Sequence, residues 1–129
     1  LDELLANCNV VVPNESELRL LGGVDELVRR CGSAALVVTR GGDGVDIYQA
    51  GEREHVTAFD VDVVDTTGAG DAFCGALACR LAAGDALRGA VRWAAAAGAL
   101  ATTVHGAVPA QPTARAIRAL LAQRDQNGG

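Results

Sequence analysis

The spacing of apolar and polar positions changes period along the chain, and each change marks an element. Residues 9–12, Asn-Val-Val-Val, form a β-branched run stopped by Pro13, which predicts a buried strand ending at a loop. Residues 16–21 read as a short helix closed by Gly22 and Gly23, and residues 25–31 as a second helix ended by Gly32. Residues 34–39, Ala-Ala-Leu-Val-Val-Thr, are continuously apolar, the pattern of a strand covered on both faces; the glycine-rich residues 40–44 after them predict a turn. Residues 45–49 and 54–59 predict a hairpin joined through Ala50 and Gly51, and residues 61–64 a further strand. Three helices complete the chain: the apolar-rich residues 72–83, the Ala-rich residues 87–101, and residues 113–123 with Ile117, Leu120 and Leu121 on one face. Residues 1–5 are helix-like, and residues 125–129 should fray. Strands alternating with helices predict an α/β fold with a mostly parallel sheet.

Composition narrows the function classes. The chain has 129 residues, half of them apolar, enough for one domain with a real core. Its net charge of −5 offers no footprint for nucleic acid or an anionic membrane surface, and its four aromatics are too scattered to stack bases. The most apolar stretch, residues 93–104, is mostly Ala and falls far short of the roughly 20 strongly apolar residues that span a bilayer. Cys8, Cys31, Cys74 and Cys79 contain no C-x-x-C pair, and neither His55 nor His105 is spaced from them as zinc ligands are. Buried reduced thiols, and with them a cytoplasmic location, are the expectation.

The chemistry concentrates in residues 65–71, Asp-Thr-Thr-Gly-Ala-Gly-Asp, between an apolar strand and an Ala-rich helix. Gly68 and Gly70 clear side chains from the backbone, and a following helix leaves its first amides unpaired, so the two together make an anion site. Asp71 at that helix start is placed to take a proton from a hydroxyl beside a bound phosphoryl group. The residues alone also admit a plainer reading, with Asp71 as a helix cap and the glycines as a tight turn. The string is neither a Gly-Lys-Ser/Thr phosphate loop nor a Gly-x-Gly-x-x-Gly dinucleotide fingerprint.

Residues 65–71, extended by Ala72, Phe73, Gly75, Ala76, Leu77 and Ala78, resemble the C-terminal signature of the PfkB carbohydrate kinases, in particular the ribokinase type. Two further motifs agree in order: Asn14-Glu15-Ser16-Glu17 is similar to the family's Asn-x-x-Glu, and Thr39-Arg40-Gly41-Gly42-Asp43-Gly44 to its Thr-x-Gly-x-x-Gly. The stretch 106–113 also resembles the close of such a kinase. The likeness covers essentially the whole chain but only the second half of the family's domain. It implies the nucleotide-binding half of a ribokinase-like three-layer αβα fold, in an ATP-dependent kinase that phosphorylates the primary hydroxyl of D-ribose. The alternatives are another sugar or nucleoside kinase of the family, such as a fructokinase, or an inactive nucleotide-binding fragment; the 129-residue chain by itself is expected to be inactive.

The resemblance implies roles residue by residue. Asp71 would be the base at the sugar hydroxyl, and the amides of Gly68, Ala69, Gly70 and Asp71 would neutralise the transferring phosphoryl group. Asn14 and Glu17 would orient water on a magnesium ion; as a plain turn Asn and first-turn Glu they would do nothing of the kind. Thr39, Gly41, Gly42 and Gly44 would line the nucleotide, or else only turn the chain. A potassium ion held largely by backbone carbonyls would fall at Asp65 and Thr67 on one side and Thr102, Val104 and Ala107 on the other. His105 would be a loop residue near the adenine, and Trp93 would pack a helix under the nucleotide. The chain starts at Leu1 without Met, as expected for a piece that lacks the sugar-selecting half and its β lid. Such a piece should expose a sheet edge, and the complete kinase should be a homodimer.

Overall fold

The computed structural model describes residues 9–105 and 112–126. The predicted helix over 1–5, Cys8, the predicted loop 106–109 with Ala107, and residues 127–129 lie outside the described residues. The chain forms two compact units, Leu1–Thr57 and Ala58–Gly129.

The first unit contains β1 (Val10–Val11), α1 (Glu15–Leu20), α2 (Val24–Cys31), β2 (Ala35–Thr39), β3 (Val45–Gln49) and β4 (Glu52–Val56). Asn14 starts α1 through a reciprocal capping box: its side-chain oxygen accepts the Glu17 amide (2.8 Å), and the Glu17 carboxylate accepts the Asn14 amide (3.0 Å). In α2, Leu27 and Cys31 lie four apart on the buried face, while Glu26 and Arg29 pair on the outer one. The sheet runs β1-β2-β3-β4 and is mixed: β1 and β2 are parallel, but β2–β3 and β3–β4 are antiparallel. The expectation of a mostly parallel sheet is corrected here, because residues 40–44 and 50–51 are turns too short to return a chain to a parallel neighbour. Ala50 and Gly51 both have positive φ (53° and 80°), the two-residue turn that suits strand twist, so β4 starts at Glu52 rather than Glu54. Leu18, Leu27, Cys31, Leu36 and Val38 form the core. At the sheet edge β4 carries Glu52, Arg53, Glu54 and His55, charge and polarity that oppose strand addition.

The second unit contains α3 (Ala69–Ala82), α4 (Leu87–Ala101) and α5 (Ala114–Gln126). The buried face of α4 is Ala90, Val91, Ala94, Ala97, Gly98 and Ala101, whose small side chains permit close helix approach. A Cβ at Gly98 would lie 3.3 Å from the Ala69 carbonyl oxygen, so this glycine lets α4 reach the first turn of α3. Phe59, Ala96, Ala97 and Ile117 form the core, with Leu120 and Leu121 packed on it. Phe59 therefore belongs to this core rather than to the end of a hairpin strand. Trp93 also packs there, with the guanidinium groups of Arg80 and Arg118 at 5.0 and 5.6 Å from its ring centroid. Arg124 stacks 3.6 Å over Phe59 and donates to the Ala58 carbonyl (2.6 Å), fastening α5 to the start of the unit.

Two further expectations are corrected. Residues 61–64 are not a strand, and Val63 is 63% exposed. β-Branched composition favours extension, but no described strand pairs with this segment; instead the amides of Val64 and Asp65 both donate to the Thr102 carbonyl (2.7 and 2.9 Å). Cys31 is buried as expected, whereas Cys74 and Cys79 are exposed, because the core face of α3 is taken by Ala72, Phe73 and Leu77. Among the described residues no helix is long and apolar enough to cross a membrane.

Candidate active site

In the first unit the fold brings two of the sequence motifs together. The Thr39 amide donates to the Pro13 carbonyl (3.1 Å), and Thr39 and Asn14 form a parallel bridge, so the end of β2 lies beside the start of α1. Residues 40–44 then close on themselves. The Arg40 amide donates to the Gly44 carbonyl (2.8 Å), the Asp43 amide to the Arg40 carbonyl (2.9 Å), and the Gly44 amide to the Gly41 carbonyl (3.1 Å). Gly41 and Gly42 have open space where a Cβ would stand. Gly44 does not: with φ of +92° its Cβ would collide with the Val56 carbonyl oxygen and the His55 ring. Gly44→Ala is therefore expected to destabilise the first unit by about 1–3 kcal/mol, measured by urea unfolding.

Beneath this loop lies a charged network that sequence reasoning missed. Asp46, 1% exposed, accepts from Arg40 Nε (2.7 Å) and from Arg53 Nη2 (3.2 Å), and its other oxygen lies 2.6 Å from His55 Nδ1. Arg40 Nη1 also donates to Glu15 Oε2 (3.1 Å). Burial alone would push the Asp46 carboxyl up, but the hydrogen bonds from His55, Arg40 and Arg53 together outweigh it and hold the group below the usual carboxylate range. The Asp46 hydrogen bond correspondingly holds Arg40 above its ordinary value, against the opposing effect of burial. The available signal was an acidic residue between Val45 and Ile47, inside an apolar strand.

The second unit holds the other motif. Gly68 is the N-cap of α3, in the left-handed conformation (φ 79°, ψ 0°), with no side chain capping the helix. Gly68 rather than Asp71 is the N-cap, so Asp71 is a first-turn residue of α3, where its negative charge also favours the helix start. Its side chain is exposed, with no hydrogen-bond partner among the described residues. The Ala69 amide donates to the Thr66 carbonyl (3.2 Å) and the Ala72 amide to the Gly68 carbonyl (2.9 Å), whereas the amides of Gly68, Gly70 and Asp71 meet no acceptor among the described residues. A Cβ on Gly70 would meet nothing within 4 Å, so neither packing nor backbone demands glycine there. Open amides beside an open glycine fit an anion the size of phosphate.

The metal expectations divide. Asn14 and Glu17 stand together, each already committed to the capping box, and no described group of three His, Cys, Asp or Glu residues could cage a metal directly. A magnesium ion would be held through waters and phosphate oxygens, with these side chains outside its inner shell. For the monovalent cation, Asp65 turns its carboxylate onto the Thr67 amide (2.8 Å), with His105 at 3.9 Å. The Thr102 carbonyl, one of the expected ligands, is instead taken by two amides; Val104 is exposed.

A glycine turn leading onto a helix with open amides and a first-turn carboxylate is an arrangement that can receive a phosphate-sized anion. Residues 1–114 match the pfkB family of carbohydrate kinases, and the chain belongs to that family. It is 38% identical over 126 residues to a probable fructokinase-4 of Arabidopsis thaliana, covering 87% of this chain and 39% of that protein. It is 33% identical over 133 residues to a ribokinase of the same plant, covering 93% and 35%. The chain therefore spans well under half the length of these curated relatives. Among solved structures it superposes on ribokinase from Thermotoga maritima with a TM-score of 0.87 at 29% identity, covering 95% of this chain and 45% of the other. Arabidopsis thaliana ribokinase complexed with ribose and ATP gives 0.80 at 32% (94% and 43%). A double mutant of Vibrio cholerae O395 fructokinase, bound to fructose, ADP and potassium, gives 0.82 at 34% (92% and 42%). The fold is ribokinase-like.

Proposed function

We propose that the chain is the C-terminal, nucleotide-binding part of an ATP-dependent sugar kinase, with Asp71 as the base. The observation that carries this reading is Asp71 itself, an acidic first-turn residue with no capping role, beside the acceptor-free amides of Gly70 and Asp71. The Asp71 carboxylate takes the proton of the sugar hydroxyl as its oxygen attacks the γ-phosphorus of ATP. The bond from that phosphorus to the bridging oxygen breaks, and ADP leaves. The amides of Gly68, Gly70 and Asp71 offset charge on the equatorial oxygens. Thr39, Gly41, Gly42 and Gly44 line the nucleotide, while Asn14 and Glu17 orient water near the phosphates. Magnesium, when bound, neutralises phosphate charge. Potassium is read near Asp65, Thr67 and the 104 carbonyl, in keeping with the potassium in the Vibrio cholerae fructokinase.

D-ribose is the proposed acceptor. Fructose is the second reading, favoured by the higher identity to the Arabidopsis fructokinase. The deciding assay offers ATP with ribose, fructose and nucleosides in turn to the intact protein, in potassium and in sodium. Ribose phosphorylated fastest, and faster in potassium, is the expected result; equal rates in the two salts overturn the cation assignment, and no phosphorylated product overturns the kinase reading. Gly70→Ala supplies a second check. Its new methyl enters open space, so stability is expected to hold or rise by up to about 1 kcal/mol, while ATP affinity measured by calorimetry falls about tenfold or more as the anion's seat fills.

A further inference from the structure

The Arg40 side chain joins the two motifs of the first unit. Its backbone closes the loop of residues 40–44, with the amide on Gly44 and the carbonyl on Asp43. Its guanidinium leaves that loop in two directions, Nε to the buried Asp46 (2.7 Å) and Nη1 to Glu15 (3.1 Å) in the first turn of α1. Glu15 sits between Asn14 and Glu17, the capping-box pair. Asp46 is anchored in turn by Arg53 and His55 from β4, and the His55 ring also bounds Gly44. The side chain of Arg40 is only 22% exposed, so this planar fork is held in place rather than sampling solvent.

We propose that Arg40, held by Asp46 and reaching Glu15, is a positioning residue that couples the turn carrying Asn14 and Glu17 to the loop carrying Thr39, Gly41, Gly42 and Gly44, so that Mg2+ and nucleotide bind cooperatively. The inference rests on the kinase reading above for the ligands that the two motifs take. Its physical basis is independent: a rigid ionic tie means that ordering one segment lowers the cost of ordering the other, which is what a coupling free energy between two ligands is. Arg suits the task because one guanidinium serves two carboxylates in fixed directions, which an ammonium group does not.

The test is calorimetric titration of the intact protein with ADP, with and without saturating Mg2+, alongside thermal unfolding. The parent should bind ADP more tightly with Mg2+. In Arg40→Ala that Mg2+-dependent gain should shrink about tenfold, and in Glu15→Gln about threefold. Arg40→Lys should restore charge without restoring the gain. Glu15 is 46% exposed, so Glu15→Gln keeps the test open even where Arg40→Ala folds poorly. A purely structural tie would lower the unfolding temperature and leave the gain unchanged; parental gains in Arg40→Ala and Glu15→Gln overturn the inference. A parent that binds ADP with no Mg2+ gain overturns it as well, leaving the kinase reading standing. A parent that binds no ADP overturns both.

Discussion

Asp71→Asn is expected to cut phosphoryl transfer by the intact protein about 10³-fold while leaving ATP affinity essentially unchanged. Asn matches Asp in shape and still accepts a hydrogen bond, but it cannot take the hydroxyl proton. The change leaves the fold intact because Asp71 neither caps α3 nor bonds to any described side chain; Gly68 is the cap. Turnover by Asp71→Asn within about tenfold of the parent would remove it from the base role. Steady-state kinetics should show the loss in kcat, with KM for ATP little altered, the pattern of an interaction made only in the transition state.

The largest effect on stability should come from Asp46→Ala, which removes the buried acceptor shared by the partly shielded Arg40 and the exposed Arg53 and His55. Breaking a fully buried ion pair costs about 3–5 kcal/mol; with Arg53 and His55 exposed and only Arg40 shielded, the expected loss is at the low end, about 3 kcal/mol. Acid should mimic the mutation. The folded carboxyl lies below its ordinary value, so its stabilisation is fully present above about pH 4, the unfolded aspartate range, and is lost as pH falls through the folded value. The groups facing it are the cations Arg40 and Arg53 and the imidazole of His55, with Tyr48 beside Arg40. Urea unfolding of the first unit between pH 6 and pH 3 should show a loss in the parent that Asp46→Asn flattens; parallel pH profiles would overturn the assignment.

Much of the helical structure was legible because its signals are local. The apolar spacing in α2, the Ala-rich run of α4 and the face of Ile117, Leu120 and Leu121 place those helices within a few residues. The continuous apolar run of β2 was equally plain. What failed depends on partners distant in sequence. Residues 61–64 have strand composition, yet a strand needs a neighbour and the Thr102 carbonyl supplies the only described backbone contact to Val64 and Asp65. The mixed sheet followed from turn lengths visible at 40–44 and 50–51, which the alternation of elements obscured. The site motifs were readable as strings, but Asn14 and Glu17 show how one spacing serves two purposes, since Asn-x-x-Glu is also a capping box. The link from Arg40 to Glu15 and Asp46 was not readable at all: it spans 25 positions on one side and 6 on the other, and charges in a turn ordinarily face solvent.

The placement of Trp93 has an optical consequence. It is the sole tryptophan of the chain and lies in the second unit, flanked by Arg80 and Arg118, while the sole tyrosine, Tyr48, packs against the core of the first. Each unit thus carries its own intrinsic fluorophore. Excitation at the red edge, where only indole absorbs, follows the melting of the helical unit, and tyrosine emission follows that of the sheet. This chain reports the loss of its two units in two colours, without a label.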